Sequence, residues 1–152
     1  MKVEFMKLAL KEAEKAYKKD EVPVGAVIVY NGKIIAKAHN TREKSNDATN
    51  HAEIIAIKKA CKKIKDFRLI DAEIYVTLEP CLMCLGAILN ARIKKLYYGA
   101  SINKDNALTT EEVIDRAELN HKTEIESGIL EKDCSFLLSN YFREKRKSKK
   151  QV

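Results

Sequence analysis

The chain has 152 residues, 45% of them hydrophobic and 34% charged, and a formal net charge of +7, the profile of one soluble globular domain and not of a disordered or fibrous protein. Its longest apolar runs, such as VGAVIVY at 24–30, fall far short of the roughly 20 residues a membrane span needs, so no membrane role is expected. Four cysteines are too few to staple a secreted disulfide scaffold, and a close pair in a reducing compartment points to metal or redox chemistry.

The first segment, MKVEFMKLALKEAEKAYKKDE, alternates charged with apolar residues and lacks the apolar middle and cleavage site of a secretory leader, which places the protein in the cytoplasm. Met6, Leu10, Ala13 and Tyr17 recur at helical spacing up to Asp20 and predict a helix over 2–18. VGAVIVY and KIIAKAH flank Asn31-Gly32 and predict an antiparallel hairpin, because both turn positions need positive φ. The polar loop NTREKSNDATN at 40–50 offers Thr49 or Asn50 as the cap of a helix HAEIIAIKKACKKI. Next come a strand AEIYVTL, a helix over about 81–91 and a strand KKLYYGA, whose short links imply a right-handed parallel crossover. Residues 100–120 are the least periodic part of the chain. A short strand around 122–126 and a helix over 131–147 complete the pattern. The expected fold class is α/β: a single-domain, three-layer α/β/α sandwich around a mixed five-stranded sheet.

The last ten residues, REKRKSKKQV, hold six Lys or Arg against one Glu, which is five of the seven net positive charges. We therefore divide the chain into a domain over 1–142 and a basic C-terminal helix end over 143–152. That end reads either as a solvated helix terminus or as a surface for an anionic partner such as nucleic acid.

In TLEPCLMCLGAI at 77–88 the strand ends at Leu78 and a helix begins at Pro80 or Cys81, so Cys81 and Cys84 stand at i and i+3 of a first turn, on one face. Unpaired N–H groups and the helix dipole favour thiolate there, the metal-binding form. Of the three histidines, His39, His51 and His121, His51 opens a helix in the sequence His51-Ala52-Glu53. Positions i and i+2 diverge along a helix body, but at its first turn both can converge on a point near the axis. His51, Cys81 and Cys84 then supply three zinc ligands and leave the fourth position to water, the catalytic pattern, with Glu53 beside it as general base. Taken alone, Cys-x-x-Cys reads equally as a thioredoxin-like redox pair or half a zinc ribbon, and a lone His at a helix start is most often a surface residue. A ribbon needs a second pair, which Cys61 and Cys134, 73 residues apart, do not provide. The redox reading leaves His51-Ala52-Glu53 without a task.

His51-Ala52-Glu53 together with Pro80-Cys81-Leu82-Met83-Cys84 resembles the zinc-dependent nucleobase deaminases of the cytidine deaminase-like fold. The flanks Glu21-Val22-Pro23-Val24-Gly25-Ala26, Arg68-Leu69-Ile70-Asp71-Ala72, Tyr75-Val76-Thr77-Leu78-Glu79, Asn120-His121 with Glu124-Ile125, and Tyr141-Phe142-Arg143 resemble the bacterial tRNA-specific adenosine deaminases over nearly the whole chain. Cytidine deaminases share the zinc motifs but not these flanks.

The resemblance implies a homodimeric hydrolase with one zinc ion per subunit and no nucleotide cofactor, which converts the wobble adenosine of a tRNA anticodon stem-loop to inosine. It implies that Glu53 carries a proton from water to the ring and then to the departing amine. Asn40 would hold the base or ribose, though it also reads as a strand-end turn residue. Val22 and the backbone at Ala52 and Cys81 would border the pocket, and Asn120 and His121 would serve the substrate. Phe142, Arg143, Lys145 and Arg146 match the end of the family's last helix, where the stem-loop is approached; Tyr141 and Phe142 also read as core anchors.

One segment departs from the family. Where relatives carry Arg-Asp and then Lys-x-Gly-Ala-x-Gly-Ser, this chain reads Ser101-Ile102-Asn103-Lys104-Asp105-Asn106-Ala107-Leu108. Ile102 falls where an acidic residue near the target's ribose is expected; either Asn103 or Asp105 takes that role or it is absent. Two further functions stay open: deamination of a free nucleobase or nucleoside of guanine or cytosine type, and a non-catalytic zinc-stabilised nucleic-acid-binding module. The basic end favours nucleic acid over a free base, and an intact Glu53 argues against the module.

Overall fold

The computed structural model describes residues 1–102, 109–117 and 121–150. After helix α1 (Lys2–Lys18), Asn31 and Gly32 both adopt positive φ, 51° and 74°, and close the tight turn between β1 (Gly25–Tyr30) and β2 (Lys33–His39). The sequence-predicted hairpin therefore forms for its stated reason. Then follow α2 (Ala52–Ile64), β3 (Glu73–Leu78), α3 (Leu82–Asn90), β4 (Lys95–Ala100), α4 (Thr110–Arg116), β5 (Glu124–Ser127) and α5 (Glu131–Lys150).

The five strands form one sheet in the order β2-β1-β3-β4-β5. β1 runs antiparallel to both β2 and β3, whereas β3, β4 and β5 are mutually parallel. Alternation along the strands sends Ala26, Ile28, Ile74, Val76, Leu96 and Tyr98 to one face, against Ala52, Ala56 and Ala60 of α2 and Leu85, Ile88 and Leu89 of α3. Val27, Val29, Tyr75 and Tyr97 go to the other, against Met6 and Ala9 of α1 and Cys134 and Leu138 of α5. Each fully buried Ile or Leu contributes roughly 1.5–3 kcal/mol, so both layers are held by apolar burial. The expected mixed α/β/α sandwich is the observed fold. Gly25 lets α1 lie directly on β1: a Cβ there would stand 2.6 Å from the Ala13 backbone nitrogen.

Several expectations need correction. α4 lies in the least periodic part of the chain, where the sequence reading places no element; Thr109 caps it, and Thr109 with Glu112 forms a reciprocal capping box, a Thr-x-x-Glu signal that the weak apolar period around it hid. β5 begins at Glu124, two residues later than expected, and α5 runs on to Lys150, so the basic end continues the helix. Neither Thr49 nor Asn50 caps α2. His51 stands at the N-cap, without a side-chain cap bond, one residue past Asn50, while Thr49 and Asn50 are tied by their N–H groups into a turn with Asp47. Among the described residues no helix is long and apolar enough to cross a membrane.

Candidate metal centre and active site

Two helix N-termini meet at the C-terminal edge of the parallel strands, the usual place for a ligand in an open α/β sheet. His51 is the N-cap of α2 and Cys81 the N-cap of α3, and both have extended backbone. His51 Nδ1 lies 3.6 Å from Cys81 Sγ and 3.4 Å from Cys84 Sγ, and the three donor atoms lie within 4.8 Å of one another. Tetrahedral zinc with bonds of about 2.1–2.3 Å brings its nitrogen and sulfur donors to about this separation. One imidazole and two thiols, clustered without any other task, fit a zinc ion.

Glu53 completes the arrangement. It is only 3% exposed, yet its Oε1 has no hydrogen-bond partner among the described residues, a costly state for a buried carboxylate that serves only the fold. Burial, the largest influence, raises its pKa above the ordinary value. Hydrogen bonding from Cys84 brings Cys81 down to about 5, while the same bond, followed by burial, pushes Cys84 up. One thiolate is thus available before any ion arrives.

A pocket opens onto this cluster. His51, Ala52, Glu53 and Cys81 line it, together with Val22, Val24, Asn40, Arg42, Leu78, Glu79 and Ile102. Asn40 Nδ2 donates to the Val22 carbonyl and its Oδ1 accepts from Arg42 N–H. It therefore is a turn residue as well as a lining one, with one donor and one acceptor position left for a ligand. The buried Glu21 carboxylate accepts from the N–H groups of Glu43 and Lys44 at 3.0 and 2.9 Å and pins the loop that carries Arg42.

Residues 2–146 match the MafB19-like deaminase family. A tRNA-specific adenosine deaminase of Bacillus subtilis is 48% identical over 147 residues, covering 96% of this chain and 91% of that protein. One of Rickettsia typhi is 48% identical over 144 residues, covering 93% and 97%. The chain belongs to the tRNA-specific adenosine deaminases. A solved structure from a study of A-to-I editing by tRNA:A34 deaminases superposes on this deaminase with a TM-score of 0.83 and 43% identity, over 89% of this chain and 99% of that one. A guanine deaminase from Bacillus subtilis matches over 64% of this chain and 63% of its own, with a TM-score of 0.62 and 45% identity.

Of the other expected site residues of the deaminase, those that are described lie away from this pocket. His121 Nε2 sits 2.8 Å from the Ile93 carbonyl and next to Thr123, and the ring lines a separate cavity with Arg92 and Lys94. It stands where the parallel strands begin, at the opposite edge of the sheet from Cys81, so its ring ties the start of β5 to the start of β4. Asn120, Asn103 and Asp105 lie outside the described residues. On α5, Tyr141 is buried and its hydroxyl donates to the Asp20 carbonyl, which makes it the core anchor, whereas Phe142 is 44% exposed. Arg143 donates to Asn140, and Arg146 is exposed. Arg42 is a lining residue that no motif singled out, because the loop between β2 and α2 brings it to the pocket from a distant part of the chain; Glu79, at the end of the Tyr75–Glu79 flank and two residues before Cys81, lines the pocket too, though the motif assigns it no role.

Proposed function

We propose that this deaminase converts adenosine to inosine at the wobble position of a tRNA anticodon, in the cytoplasm, as a homodimer with one zinc ion per subunit. The observation that carries this reading is the buried Glu53 carboxylate with an unpartnered oxygen beside the His51–Cys81–Cys84 cluster.

Held by these three residues, zinc supplies the Lewis acidity that makes water nucleophilic near neutral pH. Glu53 does the proton work. Its free Oε1 takes the proton that water gives up, and burial raises its proton affinity above that of an ordinary carboxylate. Glu53 then delivers it to the adenine ring nitrogen next to the amine-bearing carbon, which makes that carbon electrophilic. The hydroxide left by the first transfer adds to that carbon, its remaining proton passes through Glu53 to the amine, and the carbon–nitrogen bond breaks to release ammonia. Water has then replaced the amine, and the base is hypoxanthine. Val22, Val24, Leu78 and Ile102 form apolar walls that exclude other water from the planar base, and the unused donor and acceptor of Asn40 orient it.

An anticodon loop presents unstacked bases that a pocket of this kind can receive. The cations Arg143 and Arg146 are assigned to the phosphates of that stem-loop, with the exposed Phe142 beside them where the stem-loop approaches, and residues 143–152 act as the RNA-facing end of the 1–142 domain. The similarity to a guanine deaminase favours a second reading, a free-base deaminase, which the basic end does not need. Incubation with total tRNA, and with free guanine, cytidine and adenosine in parallel, separates the two. Inosine at the wobble position supports the first reading; turnover of a free base alone supports the second.

A further inference from the structure

Glu79 follows the last residue of β3, and its groups reach the chain that leaves β4. Its N–H donates to the Ala100 carbonyl at 2.8 Å. Its Oε1 accepts from Ile102 N–H at 3.0 Å, and its Oε2 accepts from the hydroxyl of Thr110, a buried residue that opens α4. Cys81 stands two residues further on. One side chain thus joins the corner that bears a candidate zinc ligand to both Ile102, a wall of the pocket, and α4.

The last paired position between β3 and β4 is Leu78 with Ala100. Ile102 lies two residues beyond it, so no ladder bond to β3 fixes its place; the Glu79 carboxylate does. A carboxylate at the rim of a deaminase pocket invites a role in proton transfer. Both Glu79 oxygens, however, are engaged by protein donors, and the buried carboxylate with an unpartnered oxygen is Glu53.

We propose that Glu79 is a positioning residue, a clasp that holds Ile102 against the target base at a fixed distance from Cys81. The proposal rests on the deaminase reading above. Ile102 touches the base alike before and during the reaction, so the clasp supplies uniform binding: its loss raises KM and spares kcat. A group that took part in chemistry would lower kcat instead. Gln fits the clasp, since its carbonyl oxygen accepts from Ile102 N–H and its amide donates to the Thr110 oxygen, so Glu79→Gln preserves the geometry without the charge. Glu79→Ala does not.

The test uses the full-length zinc-loaded protein and an anticodon stem-loop RNA, with kcat and KM determined and the exchange rate of the Ile102 amide followed in the absence of RNA. Glu79→Ala should raise KM about tenfold with kcat within about threefold of wild type, a loss in line with the cost of a displaced substrate contact, and should speed Ile102 exchange. Glu79→Gln should restore both readouts. Thr110→Val, which cuts one arm of the clasp and leaves the carboxylate in place, should shift both in the same direction and add nothing to Glu79→Ala. If Glu79→Ala fails to fold, the Gln and Thr110 variants decide. An unchanged KM, a fall in kcat alone, or a Gln variant as impaired as Ala overturns the proposal. Wild-type inactivity on the stem-loop would overturn the functional reading instead, and the Ile102 exchange rate would still judge the clasp.

Discussion

The Asp20 carboxylate meets Lys145 Nζ at 2.6 Å, across the seam between the end of α1 and α5. Beside it the Tyr141 hydroxyl donates to the Asp20 carbonyl, and the Tyr141 ring packs edge-on against Tyr17 at 5.6 Å. The basic end of the chain is therefore docked through its first turn, and its remaining cations project from a continuous helix. Exposed ion pairs contribute little to stability, so cutting the chain after Phe142 should leave Tm and zinc content nearly unchanged. Binding should respond differently. Each lost phosphate contact to a loop backbone removes about 0.7 from the slope of log affinity against log salt. Affinity for tRNA at several salt concentrations checks this: a weaker and flatter line for the truncated protein is expected, and superimposable lines would reduce the end to a solvated helix terminus.

Metal content separates the cysteines. Cys81→Ala and Cys84→Ala are each expected to lose zinc, because each removes one of the three clustered donors among the described residues. Cys61→Ala and Cys134→Ala are expected to retain it: Cys61 Sγ contacts the Phe67 carbonyl, and Cys134 is buried in the core against Gly99 of β4. Elemental analysis of the four purified variants is the check; zinc retained by both of the first pair would remove them as ligands.

How much of this was readable beforehand differs from residue to residue. Pro80 and the Cys-x-x-Cys spacing mark a helix start, and so does the polar loop before His51. Both helix starts, and with them the cluster, follow from local sequence. Arg42 carries no such mark, because only the sheet order brings the β2–α2 loop to the ends of β3 and β4; Glu79 adjoins the Pro80-Cys81 motif, but its bonds to Ile102 and Thr110 depend on the chain after β4. α4 was hidden because it is short and buries only Thr110 and Ile114, too few positions for a period. His121 has the composition of a site residue, yet its ring meets the Ile93 carbonyl, a pairing between positions 28 residues apart in the sequence that only the sheet brings together.

Acid should destabilise the protein through Glu12. Burial alone would raise the pKa of this nearly buried carboxyl, but hydrogen bonds and charge from Lys15 and His39 outweigh it and hold the group below its ordinary value of 4.5. A carboxyl with a depressed folded pKa contributes stability that is present above 4.5 and is lost as pH falls below it, through the folded value. Thermal unfolding between neutral pH and pH 3 should therefore show a drop in Tm below about 4.5 that is smaller in Glu12→Gln. Parallel curves for the two proteins would take Glu12 out of the acid response.

Ile102 gives the pocket an aliphatic side chain at the place where the family resemblance calls for an acid, and an aliphatic group cannot accept a hydrogen bond from a 2′-hydroxyl. Discrimination between an RNA stem-loop and the same loop with one 2′-deoxyadenosine target should be weak, and Ile102→Asp should increase it. The ratio of kcat/KM for the two substrates is the readout. Complete inactivity of wild type on the deoxy target would show that another group senses the hydroxyl.

The central claim is that Glu53, beside His51, Cys81 and Cys84, moves the protons of tRNA adenosine deamination. Its most direct test is single-turnover conversion of a zinc-loaded wild-type and Glu53→Ala pair on an anticodon stem-loop, with zinc and RNA affinity measured on the same preparations. Glu53→Ala should keep both zinc and RNA while converting adenosine to inosine at least about 10² times more slowly, the lower range for a general acid–base group. Near-normal conversion by a variant that retains its zinc would contradict the account.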